Sequence, residues 1–288
     1  MSLALAVGLQ ALTGVAMLLI ISLGLAVIFG MMRVINLAHG EFLMLGGYSA
    51  ILAVRHGVNI WVAMLVVAPL IVGLLGALVE RLVIRRLYGR MVDTMLATWG
   101  LSLALIGVVS MIFGNTVGGF SAPLGSVDVG GFYTSAYSLF LVPAASVMVG
   151  AVWLVLRRTK FGLLARGTMQ NPEMASALGV ATERVYAVTF AAGAALSGLA
   201  GGLIAPLSGV VPTMGTAYIA KAFITVITGG AEMLAGTLSA SVLLGAVGVL
   251  ATFLTTPVLG EVVLLAVAII LVRLLPHGIT GRFFRRAL

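Results

Sequence analysis

The chain alternates between long apolar runs and short polar breaks. Nine runs stand out: Leu5 to Met32, Asn36 to Val54, Ile60 to Val79, Met95 to Gly114, Tyr137 to Leu156, Val185 to Pro206, Tyr218 to Gly229, Met233 to Leu254 and Val258 to Val272. They lack the every-second-residue alternation of barrel strands, which are only about 10 residues long. A backbone in lipid must satisfy its own hydrogen bonds, so runs of this kind predict helices. The second, seventh and ninth are short or carry charge, which sets the expected number at eight or nine. The pattern predicts an all-α polytopic membrane protein forming one transmembrane domain over residues 1–288.

Composition agrees. Of 288 residues 61% are hydrophobic and 8% charged, where a soluble domain carries about 25% charged residues. The mean hydropathy is +1.23. A net charge of +8 would suggest nucleic acid as the partner of a soluble protein. Here the charges sit between apolar runs, so the lipid bilayer, not nucleic acid, is the expected partner. There is no cysteine and only three scattered histidines, His39, His56 and His277, so no metal site is expected.

With the N-terminus outside and nine crossings, 14 of the 16 Lys/Arg fall on the inner side: Arg33, Arg81, Arg85, Arg86, Arg90, Arg157, Arg158, Lys160, Arg166, Arg184, Arg273, Arg282, Arg285 and Arg286. Only Arg55 and Lys221 remain. The positive-inside rule therefore gives N-out and C-cytoplasmic, with Trp61 and Trp153 at opposite interfaces. The uncharged stretch to Met32 lacks the basic start of a secretory signal and reads as a retained first span. Residues 115–136, rich in Gly and Ser, suggest an extracytoplasmic cap. The tail arginines Arg282, Arg285 and Arg286 suit anchorage to anionic lipid.

The longest inner loop, 157–184, holds a bounded helix. Asn171 suits an N-cap and Pro172 the first helical position. Glu173 faces the positive helix end, and Gly179 suits the residue after the stop. About two turns are expected, with Met174, Ala175 and Leu178 forming an apolar side. This is either a connector on the membrane surface or a coupling helix that inserts into a cytoplasmic partner. No phosphate-binding loop is present, since neither Lys160 nor Lys221 follows a glycine. ATP hydrolysis, if it drives this protein, must come from other chains.

The segment Val34-Ile-Asn-Leu-Ala-His-Gly-Glu-Phe42, after Gly24-Leu-Ala-Val-Ile-Phe-Gly30, resembles the permeases of branched-chain amino acid type ATP-binding-cassette (ABC) importers. Met174-Ala-Ser-Ala-Leu-Gly-Val with Arg184-Val-Tyr-Ala-Val-Thr-Phe190, Gly229-Gly230 before Gly236-Thr237, and Leu275-Pro-His-Gly-Ile279 agree in the same order. The resemblance covers nearly the whole chain. It implies a permease of the bacterial inner membrane with no enzymatic activity or bound cofactor of its own. Its partners would be a second homologous permease, two ATPase subunits that use ATP and Mg, and an extracytoplasmic solute-binding protein. It also favours the coupling-helix reading of Asn171 to Gly179. Leu96-Ala-Thr-Trp-Gly-Leu-Ser102, Gln170-Asn171 and Gly215-Thr-Ala-Tyr-Ile219 look like the urea branch, whereas Lys221-Ala-Phe223 looks like the branched-chain amino acid branch. Urea or a short amide is the expected solute, and branched-chain amino acids the alternative. A stand-alone secondary transporter or channel would call for mid-membrane ionisable residues and inverted repeats.

Two groups are candidates for the solute pathway. Thr94, Thr98 and Ser102 recur at i, i+4 and stack on one helix face, beside Trp99. Hydroxyls suit a neutral polar solute, and Trp99 would restrict width; helix–helix hydrogen bonding explains the hydroxyls equally well. Asn36, His39 and Glu41 open the second run near the inner face. Their plainer reading is a capped helix start, with Asn36 or His39 near the first turn and Glu41 on the dipole. Gly40 and Gly46-Gly47 would let backbones pack closely at a gate or subunit interface. Lys221 and Glu232 flank the short seventh run and are expected to snorkel or pair with the sister permease.

Overall fold

A computed structural model describes residues 2–129, 132–230 and 232–284. In chain order these form α1 (Ser2–Met32), α2 (His39–Arg55), α3 (Ile60–Val62), a π-helical turn (Ala63–Val67), α4 (Ala68–Leu82), a 3-10 turn (Ile84–Leu87) and α5 (Met91–Phe113). The strands β1 (Ser126–Val129) and β2 (Phe132–Ser135) follow, then α6 (Ala136–Arg158), α7 (Lys160–Gln170), α8 (Pro172–Ala177), α9 (Thr182–Ser208), α10 (Met214–Gly229), α11 (Met233–Leu254), α12 (Pro257–Leu274) and α13 (Gly278–Phe284).

Each of the nine apolar runs forms a helix over most of its length, the second from His39 onward. Among the described residues seven helices are long and apolar enough to cross a membrane, and they include the continuous rod Ile60–Leu82. The other two runs are α2, with 17 residues, and α10, with 16. At 1.5 Å per residue these reach roughly 25 Å, short of a hydrocarbon core of about 30 Å. The segment expected to be a cap is in part an antiparallel hairpin, with Ser126 opposite Ser135 and Val127 opposite Thr134. Of the tail arginines, Arg285 and Arg286 lie outside the described residues, as does the side chain of Arg282 in α13.

Residue contacts divide the chain into two compact units. One comprises Leu23–Phe120 and Gly150–Ile219, the other Met1–Ser22, Ser121–Val149 and Ala220–Leu288. The first is organised around α9, whose buried face is made of small residues. A Cβ at Gly201 would fall 1.8 Å from the Leu43 carbonyl oxygen of α2, and one at Gly198 2.6 Å from Cβ of Val72 on α4. Gly46 is pressed as closely onto Gly198, and Gly193 onto Ile28 of α1. Lipid tails are as apolar as leucine, so close approach of thin helices, not hydrophobic burial, holds such helices together. The expectation of close packing at Gly40, Gly46 and Gly47 is met inside this chain. The π-helical turn has a local cause in Pro69 at the start of α4. Proline has no N–H to donate, and its ring crowds the carbonyl four residues back, so the ladder widens by one residue there.

In the second unit, Gly14 of α1 abuts Val249 of α11, and Gly248 of α11 abuts Leu264 of α12. The dispersed motif Gly229-Gly230, Gly236-Thr237 and Leu275-Pro-His-Gly meets in one place. Gly229 touches the Gly236 backbone, and Gly230, at φ +89°, lies against His277 and Gly278. The Thr280 hydroxyl donates to the Gly229 carbonyl at 2.7 Å and accepts from the Glu232 amide at 3.2 Å.

Candidate functional site

Residues 33–38 leave α1 and are not helical. From Arg33, exposed at the end of α1, they run inward alongside other spans. His39 Nδ1 lies 3.1 Å from the Ser197 hydroxyl, and Ser197 is 15 residues into α9, roughly 22 Å along it at 1.5 Å per residue. The second run therefore begins inside the membrane span, not near the inner face as its sequence suggested. Irregular backbone at that depth needs protein partners for its peptide groups.

The hydroxyl face of α5 supplies them. Thr94, Thr98 and Ser102 are all buried. The Thr98 hydroxyl accepts from the Leu37 amide at 3.0 Å and donates to the Thr94 carbonyl at 2.8 Å. Thr94 donates to the Arg90 carbonyl at 2.8 Å. Ser102 donates to Glu41 Oε1 at 2.7 Å. Asn36 does not cap α2: the N-cap is Ala38, with no side-chain hydrogen bond. Asn36 Oδ1 instead accepts from the Ala38 amide at 3.0 Å. His39 is no cap either; it lies in the first turn and reaches Ser197. Glu41 is in that turn as expected, 1% exposed. Trp99, on the same helix, is 55% exposed and does not join this cluster.

The first turns of the two short helices meet here. A Cβ at Gly40 would lie 2.1 Å from the Gly215 carbonyl oxygen, and one at Gly215 would lie 2.2 Å from Glu41 Oε2. Main chain touches main chain, and the carboxylate caps the junction. Sequence reasoning missed Ser197 and Gly215. Nothing local marks either, because their partners lie more than 150 residues away.

A second polar cluster sits toward the basic ends of α4 and α9. Glu80, 1% exposed, accepts from Arg85 Nε and Nη2 at 3.2 Å each and from the Tyr88 hydroxyl. Burial first, and then that hydrogen bond, push the Tyr88 hydroxyl far above the ordinary tyrosine range, so it stays a donor. The Tyr88 and Tyr186 rings meet edge-on with centroids 5.0 Å apart, and Arg85 Nη1 lies 4.0 Å from Glu183. The turn before α5 is thereby tied to the start of α9.

Segment 171–179 follows. Asn171 Oδ1 accepts from the Met174 amide at 2.9 Å, Pro172 is first in α8, Glu173 is in its first turn, and Gly179 has φ +83°. The helix is six residues long, shorter than the expected two turns. Its apolar residues are split: Ala175 is buried, while Met174 and Leu178 are 57% and 78% exposed. In the other unit Lys221 does not snorkel freely. Its Nζ lies 2.5 Å from Glu261 Oε1 on α12.

Residues 8–272 match a family described as branched-chain amino acid transport system, permease component. The chain is 28% identical over 286 aligned residues to a probable branched-chain amino acid transport permease protein LivH of Methanocaldococcus jannaschii, spanning 92% of this chain and 89% of that protein. It is 28% identical to the high-affinity branched-chain amino acid transport system permease protein LivH of Escherichia coli, over 91% of each chain. For BraD of Pseudomonas aeruginosa, a protein of the same description, the identity is 25% over 91% of each. A solved structure titled PsaBC from Streptococcus pneumoniae in complex with Fab superimposes with TM-score 0.52 at 14% identity, covering 97% of this chain and 94% of that one. That likeness concerns the fold alone.

If Thr98 is a strut for the break between α1 and α2, Thr98→Val should leave the half-buried Leu37 amide unpartnered, at a cost of about 1–3 kcal/mol. Thr98→Ser should be nearly neutral. Thermal unfolding of the purified protein checks this, and equal melting of the two variants would count against the strut.

Proposed function

This chain belongs to the permease-component family of branched-chain amino acid transport systems, and on that premise we propose that it conducts branched-chain amino acids as one membrane subunit of an ATP-driven importer. The observation that carries the reading is the family match over residues 8–272, with relatives of that description aligned from end to end. The amino acid reading takes precedence over urea. The case for an amide rested on short motifs of the urea branch and on hydroxyls beside Trp99, but the Thr94, Thr98 and Ser102 hydroxyls are already engaged within the protein and Trp99 is exposed. Lys221-Ala-Phe223 also follows the amino acid branch.

The proposed assembly pairs this chain with a second permease, two ATPase subunits and an extracytoplasmic binding protein. ATP hydrolysis is assigned to the ATPase subunits. The N-terminus is placed outside and the basic loops in the cytoplasm, on the 14-to-2 division of Lys/Arg. Asn171 to Gly179 is then the element through which ATPase closure acts, and Met174 and Leu178 are its outward apolar residues. A stand-alone transporter has no use for such a capped, outward-facing segment.

Orientation is checked by single cysteines in this cysteine-free chain. Arg86→Cys, Arg158→Cys and Arg273→Cys should label only from the cytoplasm and Gly125→Cys only from outside; outside labelling at 158 would reverse the topology. For the solute, the reconstituted complex should take up leucine and not urea, and uptake of urea without leucine would restore the amide reading. For coupling, Leu178→Asp would place a charge in the ATPase groove, at a cost above the roughly 2–7 kcal/mol of an unpaired neutral polar group if it stays ionised and unpaired there. The variant should insert normally yet lose the ATPase subunits or their solute-stimulated hydrolysis, while Ser176→Asp, at an exposed position, should be milder. Normal stimulated hydrolysis by Leu178→Asp would move the coupling contact elsewhere.

A further inference from the structure

A cavity of about 540 Å³ opens beside the coupling segment, between the ends of α1 and α7 and the starts of α5 and α8. Its polar lining includes Arg33, Thr94, Thr168 and Gln170, and no acidic residue lines it. Among the described residues Arg33 has no ion-pair partner, whereas Arg90, also in the lining, is held by Asp93 at 2.5 Å. Arg33 has φ +52°, a left-handed conformation that costs a residue with a side chain roughly 1–2 kcal/mol. Thr168 is 1% exposed, and its hydroxyl has no hydrogen-bond partner. The cavity thus offers a cation without an ion-pair partner, held by a strained backbone, while the Thr168 hydroxyl lies sealed behind the lining. That chemistry suits a phosphate or carboxylate.

A second hollow shows which anion fits. An apolar groove of about 300 Å³ shares Met31 with the cavity and is almost devoid of polar surface. On α1 its wall continues from Met31 to Val27, one turn deeper into the span. On α9 the cavity ends at Tyr186, and the groove takes over at Thr189, Ala192, Leu196 and Leu199, at i+3/i+4 spacing along one face. A polar, cationic mouth therefore adjoins an apolar groove that runs along α1 and α9 toward the middle of those helices. A soluble anion would use only the mouth.

We propose that an anionic phospholipid is bound here, with its phosphate at Arg33 and an acyl chain in the groove between α1, α6 and α9. Gln170 and Pro172 line the headgroup cavity, so the lipid touches the coupling segment on one side and the start of α5 on the other. It is thus placed to set how firmly coupling movements reach the span helices.

Native mass spectrometry of the purified complex, incubated with phosphatidylglycerol or phosphatidylethanolamine, tests the site. Phosphatidylglycerol should be retained preferentially, and Arg33→Gln should weaken that retention by roughly fivefold. Ala192→Phe, which fills the groove from an exposed position, should displace the lipid with every charge intact. Arg158→Gln, a basic residue outside both hollows, should leave retention unchanged. Equal retention of the two lipids, or no effect of Arg33→Gln in protein that still elutes as a single assembled species, overturns the proposal. So does displacement by glycerol phosphate combined with indifference to Ala192→Phe, which would mark a site for a soluble anion.

Discussion

A peptide group that leaves a helix inside hydrocarbon must find a new partner, and residues 33–38 are where this chain meets that demand. Each unsatisfied group there would cost several kcal/mol. The answer is a set of short neutral side chains. Thr98 takes the Leu37 amide, Asn36 folds back on the Ala38 amide, and Ser102 steadies the carboxylate of Glu41. Hydroxyls suit the task because they both donate and accept, and they bury no net charge. With the break supported, α2 can start deep in the span and α10 can start against it. The two helices too short to cross alone are short because each begins at this junction.

The same unit depends on the thinness of α9. Its glycines and alanines bring the backbones of α1, α2 and α4 into contact at distances that side chains would forbid. At the basic end the packing changes character. There the buried carboxylate of Glu80 gathers Arg85 and Tyr88, and two tyrosine rings close the gap to α9. Main-chain contact deep in the span and a polar clasp at its edge together hold this unit. The 171–179 segment is attached to this unit through α7 and α9.

Much of this was legible in the amino-acid sequence, since the signals are local. The nine runs, the capped 171–179 segment and the stacking of Thr94, Thr98 and Ser102 follow from spacing alone. What the hydroxyls face was not legible, because spacing places residues on one side of a helix without saying what packs there. The depth of Asn36 to Glu41 was hidden for a related reason. A run that opens with Asn, His and Glu looks like a helix leaving the interface, and only the distant Ser197 reveals otherwise. Lys221 looked free because Glu261 is 40 residues away. The solute was least legible of all: within the motifs that suggested an amide, Thr98 and Ser102 support the break before α2 while Trp99 is exposed, so their chemistry says little about cargo.

The junction of Gly40 with Gly215 also bears on how such proteins diverge. Most contacts between helices can be rebuilt when one side chain grows and its neighbour shrinks, and paired changes of that kind leave a correlated record across related sequences. Here both partners are already the smallest residue, and the contact is made by main-chain atoms. No second change can compensate for a first. The two positions should each stay fixed on their own and show no covariation, so one of the tightest contacts in the chain would be invisible to any method that infers proximity from correlated substitution.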